Sequence, residues 1–331
     1  MSFKKIFFYF ILAISCLVIL ASLLSLIYDL PYWYSKLLDF PRLQYLLLGI
    51  LCLLLFAGLN KKWKWPSVLL LTGLLAAIYI QSVRIFPYWF GEKAVPDAAQ
   101  NFSEEDSFSL LLSNVLITNR ESGKLIKAVK DADPDLFLAM EVDQWWLEEL
   151  EVLKQDYPYV MEQPNDEAYG MALYSRLPLK EKQQKYLNHK NVPSFHTRVQ
   201  LESGKEFMFH AVHPVAPMPS DKYPDNEGEE EVALLKVGDM VVKDEVPSLV
   251  AGDFNDVSWS HTARLFGKSG DLKNVRIGRG LYNTFDANSM IMRWPLDHFF
   301  VTEEFHLADL KRLGKVGSDH FPVYAEFVLK E

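Results

Sequence analysis

Three long uncharged apolar runs lie within the first ninety residues, and they restrict the fold more than anything else in the chain. They are Ile6 to Ile27, Leu43 to Leu59 and Pro66 to Val83. A helix needs about 20 apolar residues to cross the hydrocarbon core of a bilayer. The first run meets that length, the second is at its short end, and the third opens on a proline suited to a first helical turn. Trp33, Trp63, Trp65 and Trp89 flank the runs as an interfacial belt would. A cleaved signal peptide followed by buried core helices is the alternative. The first run is too long for a signal core, and Ser15-Cys16 follows a poor lipoprotein box. Residues 1–90 are therefore expected to be a membrane domain of three transmembrane helices.

Charge divides the chain at the same place. Residues 1–90 hold eight Lys/Arg against Asp29 and Asp39, a charge of +6; the whole chain carries −9, which leaves −15 for residues 91–331. Lys4 and Lys5 precede the first run, and Lys61, Lys62 and Lys64 fill the second loop. Lys36 and Arg42 in the first loop are offset by two acids, and Arg84 dissents. The positive-inside rule puts the N-terminus and second loop in the cytoplasm and the C-terminal part outside a cell membrane. The two cysteines, Cys16 and Cys52, both fall in apolar runs. The outer part thus has no thiol nucleophile and no cysteine zinc site, and rests on a large core.

Residues 91–106 are polar and aperiodic and read as a linker. From Ser107 the pattern is α/β. Strands are expected at 108–112, 136–140, 170–174, 197–201, 206–212, 248–251, 296–301 and 323–328. Helices are expected at 122–131, 144–154 and 229–242. Residues 219–231 read as an acidic loop running into the last of these helices. There is no internal repeat, and no P-loop or glycine-rich dinucleotide motif.

Acid, amide and imidazole side chains recur at the ends of these apolar runs. Glu141 follows Leu136–Met140, where a carboxylate can hold a hard divalent cation such as Mg²⁺. Asp253 and Asn255 sit in a turn after a strand, where residues two apart can share one cleft. They can orient a water and a phosphate, although asparagine also caps turns. His320 suits acid/base work or contact with a phosphoryl oxygen, with Asp297 as the carboxylate that orients it. His213 precedes Pro214, which favours an extended backbone there. Asn114 ends the first strand. Arg176 and Arg293 are candidate phosphate contacts through their planar forks. Each of these residues alone also has an ordinary structural reading.

The ordered set LLLSNV (110–115), PDLFLAMEV (134–142), YGMALYSRLPL (169–179), HAVHP (210–214), VAGDFND (250–256), RWPLDHFFV (293–301) and GSDHFPVYAEF (317–327) is more specific. It resembles the endonuclease/exonuclease/phosphatase superfamily, the fold of DNase I, abasic-site endonucleases and neutral sphingomyelinases. With three preceding spans the chain looks like the family's bacterial membrane-anchored branch. The resemblance implies a four-layer α/β/β/α sandwich of two mixed sheets over residues 107–331. It implies Glu141 as main metal ligand with Asp319 close to the metal. Asn114 and Asn255 would lie at the phosphate, His213 near the scissile phosphate, Asp253 at the attacking water, and Asp297 paired with His320. Some DNA-repair members carry an aspartate two residues after the first-strand asparagine; here it is Leu116, which puts a two-ligand version of the metal site in doubt. The expected activity is Mg²⁺-dependent phosphoester hydrolysis, with Mn²⁺ as a substitute. Nucleic acid and lipid or small-molecule phosphate esters are the candidate substrates, and no obligate protein partner is evident. An acidic domain lacks the basic footprint of a tight nucleic-acid binder. A non-catalytic membrane scaffold is the rival class.

Overall fold

A computed structural model describes residues 3–28, 32–226 and 231–330. Asp29, Glu331 and the 229–230 start of the third expected helix lie outside the described residues. Three helices are long and apolar enough to cross a membrane: α1 (Phe3–Leu24), α3 (Arg42–Leu59) and α4 (Trp65–Phe90). The short α2 (Trp33–Leu37) lies between the first two. α4 runs seven residues past the expected end of its apolar run. The Arg84 guanidinium donates to the Tyr28 hydroxyl at 2.7 Å, so this charge does not stop the helix. Arg42, fully buried, is matched by the Asp39 carboxylate, the Gln81 side-chain oxygen and the Ser25 carbonyl. A buried cation is tolerated when its donors are met in this way.

The remaining chain forms β1 (Ser107–Asn114), α5 (Ser122–Ala132), β2 (Leu136–Met140), α6 (Gln144–Leu150), β3 (Tyr159–Gln163), β4 (Met171–Ser175), β5 (Leu179–Lys185), β6 (Ser194–Gln200) and β7 (Glu206–Ala211). It continues with α7 (Val232–Asp244), β8 (Ser248–Asp253), α8 (His261–Ser269), β9 (Lys273–Asn274), β10 (Asp297–Val301), β11 (Phe305–Arg312) and β12 (Val323–Leu329). One six-stranded sheet has the order β11-β12-β1-β2-β4-β3, the other β5-β6-β7-β8-β10-β9. Both mix parallel and antiparallel pairs. Alternate residues of the central strands face opposite ways. Leu110, Leu112, Leu136, Leu138, Leu249, Ala251, Phe299 and Phe327 fill the space between the sheets. Leu111, Phe137 and Ala139 turn outward under α5 and α6, and Val250 and Phe300 under α7 and α8. The result is the expected four-layer α/β/β/α sandwich.

Residues 91–106 are fastened rather than loose. Val95 is buried in the central core, and Leu307 of β11 exchanges hydrogen bonds with Pro96 and Ala98. The helices and the sandwich also share an apolar cluster, in which Leu46, Ile85 and Tyr88 meet Val257, Trp259, Leu281 and Leu296.

Candidate active site

The sheet registers carry the polar strand ends to one edge of the sandwich. β1 and β2 are parallel, with Asn114 opposite Met140, so Asn114 and Glu141 emerge together. In the facing sheet Asp253 lies opposite Asp297 across the β8–β10 pair. β7 runs parallel to β8 with Ala211 level with Ala251, which brings His213 level with Asp253. β12 is antiparallel to β1, so His320, just ahead of it, arrives at the same edge.

Two glycines permit this crowding. A Cβ on Gly252 would stand 1.7 Å from the Val212 carbonyl oxygen, and one on Gly170 1.8 Å from that of Val142. Only a residue without a side chain lets these backbones approach so closely. The neighbours concerned are those of His213 and Glu141. Glu141 itself has φ of 63°, and Leu116 beside it 61°. Left-handed backbone at two bulky residues costs about 1 kcal/mol or more each, and such positions cluster at functional sites.

Asp253 is the hub. The Asn114 amide donates to its Oδ2 at 3.0 Å and to Glu141 Oε1 at 2.8 Å. The Asn255 backbone N–H donates to Asp253 Oδ1 at 2.8 Å. His320 Nε2 stands 3.5 Å and His213 Nε2 3.8 Å from Asp253 Oδ2. His320 Nδ1 is 2.8 Å from Asp297 Oδ2. Asp253, Asp297, His213 and His320 are all buried.

The two histidines differ in charge. Burial works against a cation on His320, but the carboxylates of Asp297 and Asp253 and the Asp297 hydrogen bond outweigh it and raise the ring to about 10. Burial lowers His213 to about 4, with Asp253 opposing. At neutral pH one ring is imidazolium and the other neutral, so the His213–Asp253 contact is no ion pair. Burial raises Asp253 and Asp319 above the ordinary carboxylate range. Burial also pushes Glu141 up to about 7, against hydrogen bonds from Asn114 and the Ile117 N–H.

Ligand atoms of Asp253, Asp297 and His320 lie within 4.8 Å of one another. This trio is better described as a hydrogen-bonded pair beside a third acid. An imidazolium with Nδ1 committed to Asp297 has no lone pair to offer a cation. Glu141 suits a hard cation better: its two N–H donors do not offset its burial, and a divalent ion favours the charged form. Asp319 adds to the same negative field.

Asn255 turns its side-chain amide to the Pro214 carbonyl at 2.9 Å. Arg176 departs from expectation. β4 is antiparallel to β2 with Ser175 opposite Leu136, so Arg176 leaves at the far end of the sheet, where it pairs with Asp133. Arg293 lies over the Phe321 ring, in a cavity shared with α3 and α4. Sequence reasoning missed three contributors. The Tyr169 ring packs 5.0 Å from that of His213. The Thr284 hydroxyl accepts from the Asp297 N–H at 3.3 Å. Arg276, fully buried, places its charge near Asp297. Tyr169 lies within the YGMAL segment and could have been singled out there; nothing local marks Thr284 or Arg276.

A sequence model described as the Endonuclease/Exonuclease/phosphatase family matches residues 110–320. The chain belongs to this family. Solved structures agree on the family's fold. The human Nocturnin catalytic domain with bound sulfate anion superposes with a TM-score of 0.55 at 16% identity, covering 68% of this chain and 95% of that one. A family protein from Bacteroides thetaiotaomicron gives 0.52 at 20% identity, covering 68% and 95%. D. rerio TDP2 complexed with single strand DNA product gives 0.53 at 16%, covering 67% and 98%. No curated protein matches the chain.

Proposed function

We propose that this family member is a membrane-anchored, divalent-metal-dependent phosphoesterase that hydrolyses its substrate by in-line attack of water. The observation that carries the reading is Asp253, buried between a cationic and a neutral histidine and tied through Asn114 to Glu141. Asp253 would orient the water and take its proton. The His320 imidazolium, oriented by Asp297, would offset charge on the phosphoryl oxygens. His213, Asn114 and Asn255 would position the phosphate. Glu141 and Asp319 would hold Mg²⁺, or Mn²⁺ in its place, which when bound supplies Lewis-acid stabilisation of phosphoryl charge. The lysines at 4–5 and 61–64 lie at the opposite end of the helices from the sandwich, which supports a catalytic part outside the cell membrane.

A lipid or small-molecule phosphodiester is the second reading of the substrate, favoured by the apolar cluster that joins the helices to the sandwich. Turnover of bis(p-nitrophenyl) phosphate by the full chain tests the chemistry. It should require a divalent ion, stop with EDTA, and fall at least about 1,000-fold in Asp253→Asn. Metal-independent turnover, or an active Asp253→Asn, would refute it. The same assay on DNA, a nucleotide and a sphingolipid separates the substrates.

A further inference from the structure

A cavity of about 800 Å³ lies where the helices meet the sandwich. Leu43 and Leu47 of α3 and Trp89 of α4 wall one side; Tyr282, Arg293 and Arg312 wall the other. α3 begins at Arg42 and α4 ends at Phe90, so the cavity stands at the helix ends, the level of lipid headgroups. Trp89 and Tyr282 suit that level, with an apolar body and a polar tip.

Arg293 and Arg312 share one platform. Their guanidiniums lie 5.2 and 4.3 Å from the Phe321 ring centroid. Arg293 Nε donates to the Ser289 carbonyl, and Arg312 Nη1 to the Asn283 carbonyl at 2.9 Å. Both acceptors are neutral, and among the described residues neither arginine forms an ion pair. Burial and the adjacent Arg293 charge hold Arg312 below the ordinary arginine value. Two guanidiniums on one wall without a counter-ion favour a bound anion, and their planar forks match phosphate oxygens.

The adjoining loop tip is apolar. Met290, Ile291 and Met292 are 91, 75 and 46% exposed. The Gln44 side chain donates to the Ile291 carbonyl at 2.8 Å, which holds the tip against the first turn of α3. Three exposed large apolar side chains in a row are unfavourable in water and suited to an acyl boundary.

We propose that this cavity binds the phosphate headgroup of a membrane phospholipid of net negative charge through Arg293 and Arg312, with the acyl chains lying along α3 and the Met290–Met292 tip immersed beside them. The site rests on the membrane reading of the helices, and neither arginine is among the hydrogen-bond or ion-pair partners of Asp253. Its test therefore reads binding, not turnover. The full chain in detergent is titrated with phosphatidylglycerol or phosphatidylcholine and the retained lipid counted by native mass spectrometry, with millimolar inorganic phosphate as competitor. The wild type should retain one phosphatidylglycerol at least about tenfold more tightly than phosphatidylcholine, undisturbed by phosphate. Arg293→Gln/Arg312→Gln should lose that preference, and the double lysine variant should keep part of it. Leu47→Trp, at an exposed helix position, should fill the cavity and weaken retention with both arginines in place. Unchanged retention in a folded glutamine double variant would overturn the proposal. If that variant does not fold, unchanged retention in Leu47→Trp does so. Equal retention of the two lipids, or displacement by free phosphate, would overturn it too.

Discussion

His196 and His210 face each other across the β6–β7 pair, with their Nδ1 atoms 2.7 Å apart. Only one proton fits between them. His196 Nε2 lies 2.9 Å from the Ser194 hydroxyl, while His210 Nε2 has no partner. The economical arrangement has His210 Nδ1–H donating to His196 Nδ1, and His196 Nε2–H donating to Ser194. Burial lowers His196 to about 3 and His210 to about 4, so both stay neutral in the folded protein at pH 5. In the unfolded chain each titrates near about 6.5. The unfolded state therefore binds more protons as pH falls below that value. Stability held above about pH 6.5 is lost on the way down towards pH 4 and 3. By about pH 5 each ring has cost about 2 kcal/mol, or about 4 kcal/mol for the pair. For a domain of this size that is an apparent Tm shift of about 8–16 °C. The measurement compares wild type with His196→Leu/His210→Leu in detergent at about pH 7.5 and about pH 5 by intrinsic fluorescence. All other titrating groups are common to both proteins. The double variant should lose less Tm on acidification by that amount. An equal loss in both would show that the pair does not stay neutral, and would refute the reasoning.

Glu141→Gln should lower turnover at least about 100-fold, with partial recovery at high Mg²⁺ or Mn²⁺; near-normal turnover would remove Glu141 from the metal site. His320→Ala and Asp297→Asn should each reduce the chemical step while the double variant is little worse than His320→Ala, whereas multiplicative losses would mean independent roles. Gly252→Ala must move backbone by more than about 1 Å to clear Val212, so it should cost about 3 kcal/mol or more and misplace Asp253; a Tm like wild type would contradict the close approach. A reporter fused after the C-terminus should be active only outside the cytoplasm, and a cytoplasmic signal would reverse the orientation.

The fold was legible where strands are buried on both faces. β1, β2, β8 and β10 read as unbroken apolar runs because one set of side chains meets the other sheet and the alternate set meets helices. β5 was missed because Lys180 to Gln184 are exposed and carry no apolar alternation. β11, at the edge of the other sheet, has a mixed pattern for the same reason. α8 is nine residues long and buries only Ala263 and Phe266, too little for a periodic signal. Polar residues at the mouths of buried strands were legible because burial there needs a reason. Which end of a strand an arginine leaves from depends on strand direction, and that misplaced Arg176. Thr284 accepts from the Asp297 N–H, and Arg276 meets His298 beside it, contacts that no local pattern encodes.

The joint between helices and sandwich has a kinetic consequence. The Trp259 indole donates to the Asp39 carbonyl at 2.7 Å, the Gly278 N–H to the Pro87 carbonyl at 3.0 Å, and residues from both sides fill one apolar cluster. A domain on a floppy leash sweeps a hemisphere of solution; one welded to its helices keeps its cleft at a single height and tilt. If the helices sit in a bilayer as proposed above, its hunting ground is a thin slab parallel to the membrane. Partners that diffuse within that slab meet the cleft by two-dimensional search, and those free in bulk water meet it only when they stray close.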